Sequence, residues 1–188
     1  GKARYLGGGE ESYGFLAEDF CRDKDSVSAI SLMAEIAAWA KEKGMTMNDM
    51  LIDIYTTYGY SKERGISVVR TGKSGAEEIQ AMMKNFREHP QKEIAGSPVV
   101  KIRDYQLLQE KNVLTGEVGK LDMPCTSNVL QYYTEDGTKV SIRPSGTEPK
   151  IKFYLEVHDT LACAADYDAK NEWADAKLDT ICKELGIA

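Results

Sequence analysis

A chain of 188 residues with 42% hydrophobic and 29% charged residues is long enough to bury a core and too ordinary in composition for a fibrous or disordered class. Its net charge of −6 argues against binding nucleic acid by bulk electrostatics. No apolar run approaches the roughly 20 residues of a membrane span, and no basic-then-apolar leader opens the chain, so a cytoplasmic, soluble protein without a membrane partner is expected. Cys21, Cys125, Cys163 and Cys182 lack CxxC spacing, which favours reduced thiols over a zinc site or a disulfide framework.

The first residues, GKARYLGGGEESYG, offer neither an initiator methionine nor the start of an element, and the expectation is a piece of something longer. VSAISLMAEIAAWAKEK then predicts a helix over 27–43. Val27, Ile30, Met33, Ala37 and Ala40 fall at helical spacing, Asp25 or Ser26 caps the start and Gly44 ends it. Ala29, Leu32, Ile36 and Trp39 occupy its other faces, so it should be covered on most sides. Met47, Met50, Leu51, Ile54, Tyr55 and Tyr58 mark a second helix. The composition changes near Tyr60 and Ser61, the expected domain seam.

Beyond the seam GISVVR predicts a strand, and KSGAEEIQAMMKNFREH a helix with a Ser74–Glu77 capping box and an Ile79, Met82, Met83, Phe86 stripe. PVVKIRDY, VLQYYT, TKVSIR and IKFYLEV predict four strands, the middle two joined at Glu135-Asp136-Gly137. Trp173, Ala176, Leu178, Ile181, Cys182 and Leu185 predict a last helix closed by Gly186. The order βαββββα points to an α+β class, an antiparallel sheet covered by helices.

Three stretches carry chemistry. RPSGTEPK, residues 143–150, cannot continue a strand, since both prolines lack ladder donors and Gly146 frees the backbone for a positive φ. Such a turn can form an anion nest, with Arg143 as a bidentate fork, Ser145 and Thr147 as hydroxyl donors and Lys150 as a point charge. Residues 139–152 carry a net +3 within an acidic chain, which suits a small anionic ligand, although the same residues would also make a solvated hairpin loop. GGGEESYG sets Glu10, Glu11 and Ser12 on a glycine-rich turn, suited to gripping sugar hydroxyls; a metal site, an acid/base pair or a solvated acidic turn fit as well. In CRDKD, Lys24 suits charge stabilisation or proton transfer near a phosphosugar, or a plain charge run at a helix start. His89 and His158 have no evident partner and are assigned to structure.

Taken together, GGGEESYG, RDKD and RPSGTEPK resemble the C-terminal part of an α-D-phosphohexomutase of the phosphoglucomutase/phosphomannomutase family, over essentially the whole chain. The resemblance implies that residues 1–60 are the mostly helical end of an α/β third domain. Residues 61–188 would be a fourth domain with a TATA-box-binding-protein-like antiparallel sheet. It implies an enzyme that shifts a phosphoryl group between the 1 and 6 oxygens of a hexose through a phosphoserine, with Mg²⁺ and a glucose 1,6-bisphosphate-type intermediate and activator. On the matching positions, Glu10 and Ser12 would bind sugar hydroxyls, and Arg143, Ser145, Gly146, Thr147 and Lys150 the phosphate that is not being transferred. Lys24 would be a general acid/base or electrostatic residue. The sequence departs from the family in lacking a T-A-S-H-N-P serine loop and a D-G-D-x-D-R metal loop. The chain alone is therefore expected to be inactive, its partners being a phosphosugar and the parent's N-terminal domains. The competing reading is a standalone phosphosugar- or anion-binding module, and exposed Ile30, Leu32 and Trp39 would favour self-association.

Overall fold

The computed structural model describes residues 4–10, 14–17, 19–20, 23–146 and 148–187, and the chain divides into two units between Ile54 and Tyr55.

In the first unit β1 (Gly8–Glu10) pairs antiparallel with β2 (Gly14–Leu16), Gly9 opposite Phe15. Helix α1 (Ser26–Glu42) follows, and the Asp25 carboxylate caps it by accepting the amides of Val27 at 3.0 Å and Ser28 at 3.2 Å. Gly44, at φ 69°, closes it by donating to the Lys41 carbonyl, as the sequence predicts. Helix α2 (Met47–Tyr58) opens on an unanticipated reciprocal cap: the Thr46 amide donates to the Asp49 carboxylate and the Asp49 amide to the Thr46 hydroxyl.

The expectation that α1 is covered on most sides is not met. Its one buried residue is Ala40, while Val27, Ile30, Met33 and Trp39 are exposed. Within this unit α1 packs on β2, and three-residue strands are too small to cover a helix that is apolar all round.

The second unit is built on an antiparallel sheet of order β3-β10-β9-β8-β5-β6-β7. Its strands are β3 (Tyr60–Val69), β5 (Ser97–Asp104), β6 (Gln109–Asn112), β7 (Val118–Lys120), β8 (Leu130–Thr134), β9 (Lys139–Pro144) and β10 (Lys150–Asp159), with β4 (Glu93–Ile94) pairing on β5. Helices α3 (Gly72–Glu88) and α4 (Tyr167–Glu184) pack on it. Between them Ile142, Ile151, Phe153, Leu155 and Val157 are fully buried, and Phe86 of α3 meets Phe153 edge-on at 5.9 Å. Tyr132, also fully buried, donates its hydroxyl to the Phe86 carbonyl at 2.6 Å.

Strand β3 starts at Tyr60 rather than Gly65 because its helix-facing positions carry cations instead of apolar residues. Lys62 and Arg64 reach Asp175 on α4, so apolar alternation begins only at Ile66. At its start Tyr60 packs on Tyr55 and donates to Asn171, and burial first, then the neighbouring Tyr55, pushes its hydroxyl up to about 12. The capping box expected at Ser74 is not formed: α3 begins earlier, with Thr71 as N-cap and no side-chain bond to the first turn. On α4, Trp173 and Ala176 are exposed and Ala174 is buried in their place.

The β8–β9 turn is fastened to α4. Gly137, at φ 85°, completes it, and the Asp136 carboxylate accepts from Thr134 Oγ1, the Thr138 amide and Lys177 Nζ, the last at 2.6 Å. Partial burial pushes this carboxyl upward, but the Lys177 ammonium and the threonine donors outweigh it and hold it well below its usual range near 3.8.

Truncating Phe153 to Ala should cost about 3–5 kcal/mol in a urea titration of the second unit. A group depressed in the folded state contributes stability above its unfolded pKa and loses it as pH falls. Wild-type stability should therefore decline as pH falls from about 5 through the aspartate range, and Asp136→Asn should be less stable at pH 7 with a flatter profile, converging with wild type in acid.

Candidate functional site

Strands β9 and β10 grip the two ends of RPSGTEPK: Pro144 stands opposite Ile151, and Arg143 opposite Lys152. Inside the turn the Ser145 amide donates to the Lys150 carbonyl at 2.8 Å and the Glu148 amide to the Ser145 hydroxyl at 3.3 Å. The Arg70 amide, at the end of β3, donates to the Pro149 carbonyl at 2.9 Å. Helix α3 begins immediately beyond, and its first turns close one side of a cleft of about 370 Å³. Gly72, Ala76, Ile79 and Gln80 line that side, and Ser145, Gly146, Glu148 and Pro149 the other. Gly75 allows the helix this position, because a Cβ there would lie 2.5 Å from the Arg70 carbonyl carbon and oxygen.

The left-handed glycine expected at the turn is absent, since Gly146 is not among the glycines of positive φ. The amides of Ser145, Glu148 and Lys150 are used within the loop and are not offered to an anion. What Gly146 offers is room: a Cβ there would meet nothing within 4 Å, and its amide has no acceptor among the described residues. Among the described residues the loop therefore offers an anion side-chain donors together with the exposed Gly146 amide.

Strand alternation separates the cations. Ile142 and Phe153 face the core, so Arg143 and Lys152 project together from the sheet face opposite the helices and do not line the cleft. Arg143 is exposed, with no ion pair among the described residues. Lys150 forms an ion pair with Glu148. The hydrogen bond from Lys150, that ion's charge and the charge of Lys152 hold the Glu148 carboxyl below its usual range. Lys152 is the residue that motif reading passed over. The two-residue period of IKFYLEV, aligned on Arg143, carries the signal.

Next to Arg143 on this face lies a connected polar row. The hydroxyls of Tyr133 and Tyr105 donate to Gln131 Oε1 at 2.7 and 2.9 Å, and Gln131 Nε2 donates to Ser141 Oγ at 3.0 Å. His158 stands 3.7 Å from Glu156, and His89 is the C-cap of α3.

In the first unit the structure brings two of the predicted stretches together. A Cβ on Gly14 would overlap the Cβ, Cγ and Cδ atoms of Lys24, and the Asp25 amide donates to the Phe15 carbonyl at 3.1 Å. Lys24 therefore lies against the backbone of the GGGEESYG turn, where only glycine leaves it space. The Glu10 side chain, Glu11 and Ser12, and Thr147 in the second unit, lie outside the described residues.

Among the described residues no three His, Cys, Asp or Glu side chains are grouped to hold a metal ion. No described helix is long and apolar enough to cross a membrane. Residues 1–58 match the phosphoglucomutase/phosphomannomutase alpha/beta/alpha domain III, and residues 66–172 match the C-terminal domain of the same family. A phosphoglucomutase of Staphylococcus saprophyticus is 36% identical over 162 residues, covering 85% of this chain and 29% of its own, and one of Staphylococcus aureus is 41% identical over 155 residues, covering 79% and 26%. The fold matches a crystal structure of the exocytosis-sensitive phosphoprotein pp63/parafusin, a phosphoglucomutase from Paramecium in its open form. That match has a TM-score of 0.53 and 17% identity, covering 97% of this chain and 30% of the other. The chain thus spans less than a third of the relatives it matches. With both of its domain matches falling on one family, in order and over most of its length, the chain belongs to the phosphoglucomutase/phosphomannomutase family.

Proposed function

We propose that this chain is the substrate-recognition portion of a phosphohexomutase that interconverts hexose 1-phosphate and hexose 6-phosphate through a phosphoserine and a bisphosphate. Residues 1–60 act as its sugar-recognition part and 61–188 as its phosphate-binding domain. The observation that carries the reading is the pair Arg143 and Lys152, facing the same way across β9 and β10 at the root of a turn that holds the half-buried Ser145 and the exposed Gly146 amide. A phosphate dianion asks for that combination: a bidentate fork, a second cation and neutral donors within a small volume. In this proposal Thr147 and Lys150 complete the phosphate contacts, Glu10 and Ser12 take the sugar hydroxyls, and Lys24 stands near the reacting groups.

Holding the distal phosphate is useful to a mutase because remote binding energy orients the reacting end, and the bisphosphate must turn around without escaping. The serine nucleophile and Mg²⁺ are assigned to the parent's other domains, and the setting to the cytoplasm. Phosphoryl transfer depends on positioning around a metal and a nucleophile, so the chain alone should show no turnover of glucose 1-phosphate.

Calorimetric titration of the chain with glucose 1,6-bisphosphate at low salt tests the reading. Arg143→Ala should weaken binding about 10- to 100-fold, the loss of charge-assisted hydrogen bonds. Equal affinity of the variant and the wild type would overturn it.

A further inference from the structure

The loop proposed to bind phosphate contains its own carboxylate. Glu148 sits between the hydroxyls and the lysines of RPSGTEPK, lines the cleft beside Ser145 and Gly146, and forms an ion pair with Lys150. Its amide donates to the Ser145 hydroxyl, so the turn that presents Ser145 also fixes where the Glu148 side chain starts. Arg143 and Lys152 stand at directly facing positions of neighbouring strands, which concentrates positive charge at the root of the loop. Lys150 first, and then the charge of Lys152, stabilise the charged form of the Glu148 carboxylate.

We infer that Glu148 is a built-in counter-anion of the loop, which an incoming phosphate displaces from Lys150. This deepens the phosphate-binding reading and rests on it. The exchange has two effects. A carboxylate brings one charge and two oxygens, whereas a phosphate dianion brings two charges and three oxygens, so only the stronger acceptor profits from the replacement. When phosphate leaves, the lysine is re-paired at once rather than left facing water and its like-charged neighbour, so departure costs less than it would from a bare cationic loop. Release matters to an enzyme whose bisphosphate has to let go at one end, turn and be caught at the other. The Lys150–Glu148 pair is partly exposed, the side chains retaining 29% and 60% of their accessible surface, so the effect is modest in size.

The experiment compares wild type, Glu148→Gln, Glu148→Asp and Arg143→Ala in titrations with glucose 1,6-bisphosphate at low salt, with dissociation rates from stopped flow. Glu148→Gln should bind about two- to fivefold tighter, mostly through slower release, and Glu148→Asp, which keeps the charge, should stay near wild type. If Arg143→Ala weakens binding while Glu148→Gln binds no tighter, the counter-anion is overturned and the phosphate-binding reading stands. Weaker binding by Glu148→Gln would instead mark the carboxylate as a ligand contact, and Glu148→Asp behaving like Glu148→Gln would show that charge is not the cause; each overturns the inference. Absent wild-type binding, or an Arg143→Ala variant equal to wild type, overturns both.

Discussion

The register of β10 between β3 and β9 is the constraint on which the second unit depends. It sets Ile151 opposite Val68 and Pro144, and Phe153 opposite Ile66 and Ile142, which places the core residues on the helix side. The same pairing puts Arg143 and Lys152 on the other side. A slip of one residue would carry every side chain of β10 to the wrong face, burying Lys152 and exposing Phe153. Core and candidate site are therefore two faces of one pairing, and the stability of the first protects the geometry of the second.

Charge follows the same division. On the helix side the cations are paired, Lys62 and Arg64 sharing Asp175, Arg64 also reaching Asp179, and Lys177 meeting Asp136, and these pairs fasten helix α4 to the sheet. At the loop Lys150 is paired with Glu148, and Arg143 is exposed with no ion pair among the described residues. An acidic chain with a net +3 over residues 139–152 concentrates its attraction for anions there, and salt should weaken the part of that attraction made by exposed groups.

Much of the fold was legible because burial writes a period into sequence. The strands β5, β8, β9 and β10 alternate apolar and polar residues and were visible, as were the stripe of α3 and the ends of α1. The elements that escaped lack that signature. Strands β6 and β7 are short and exposed, so nothing selects alternation in them, and the first half of β3 substitutes ion pairs for apolar contacts. The site was legible in composition but not in geometry. Sequence named Arg143, Ser145, Gly146 and Lys150, while the pairing of Lys152 with Arg143 and of Lys150 with Glu148 depends on strand direction and side-chain reach. The missing positive φ at Gly146 shows the limit of reading glycine as a turn signal: here absence of a side chain serves exposure rather than backbone freedom.

Gly75 lies on α3, outside the phosphate loop, yet the distance between helix and loop is set there. Its bare Cα rests on the carbonyl of Arg70, and the amide of the same residue holds Pro149. Helix start, strand end and loop exit are thus three backbones in a single stack whose thickness is one hydrogen atom at position 75. A methyl group there would act as a shim, prising the helix from the strand and widening the mouth of the cleft without touching any residue that lines it. Variation at a position with no chemistry of its own would then retune how closely the two walls approach a ligand between them.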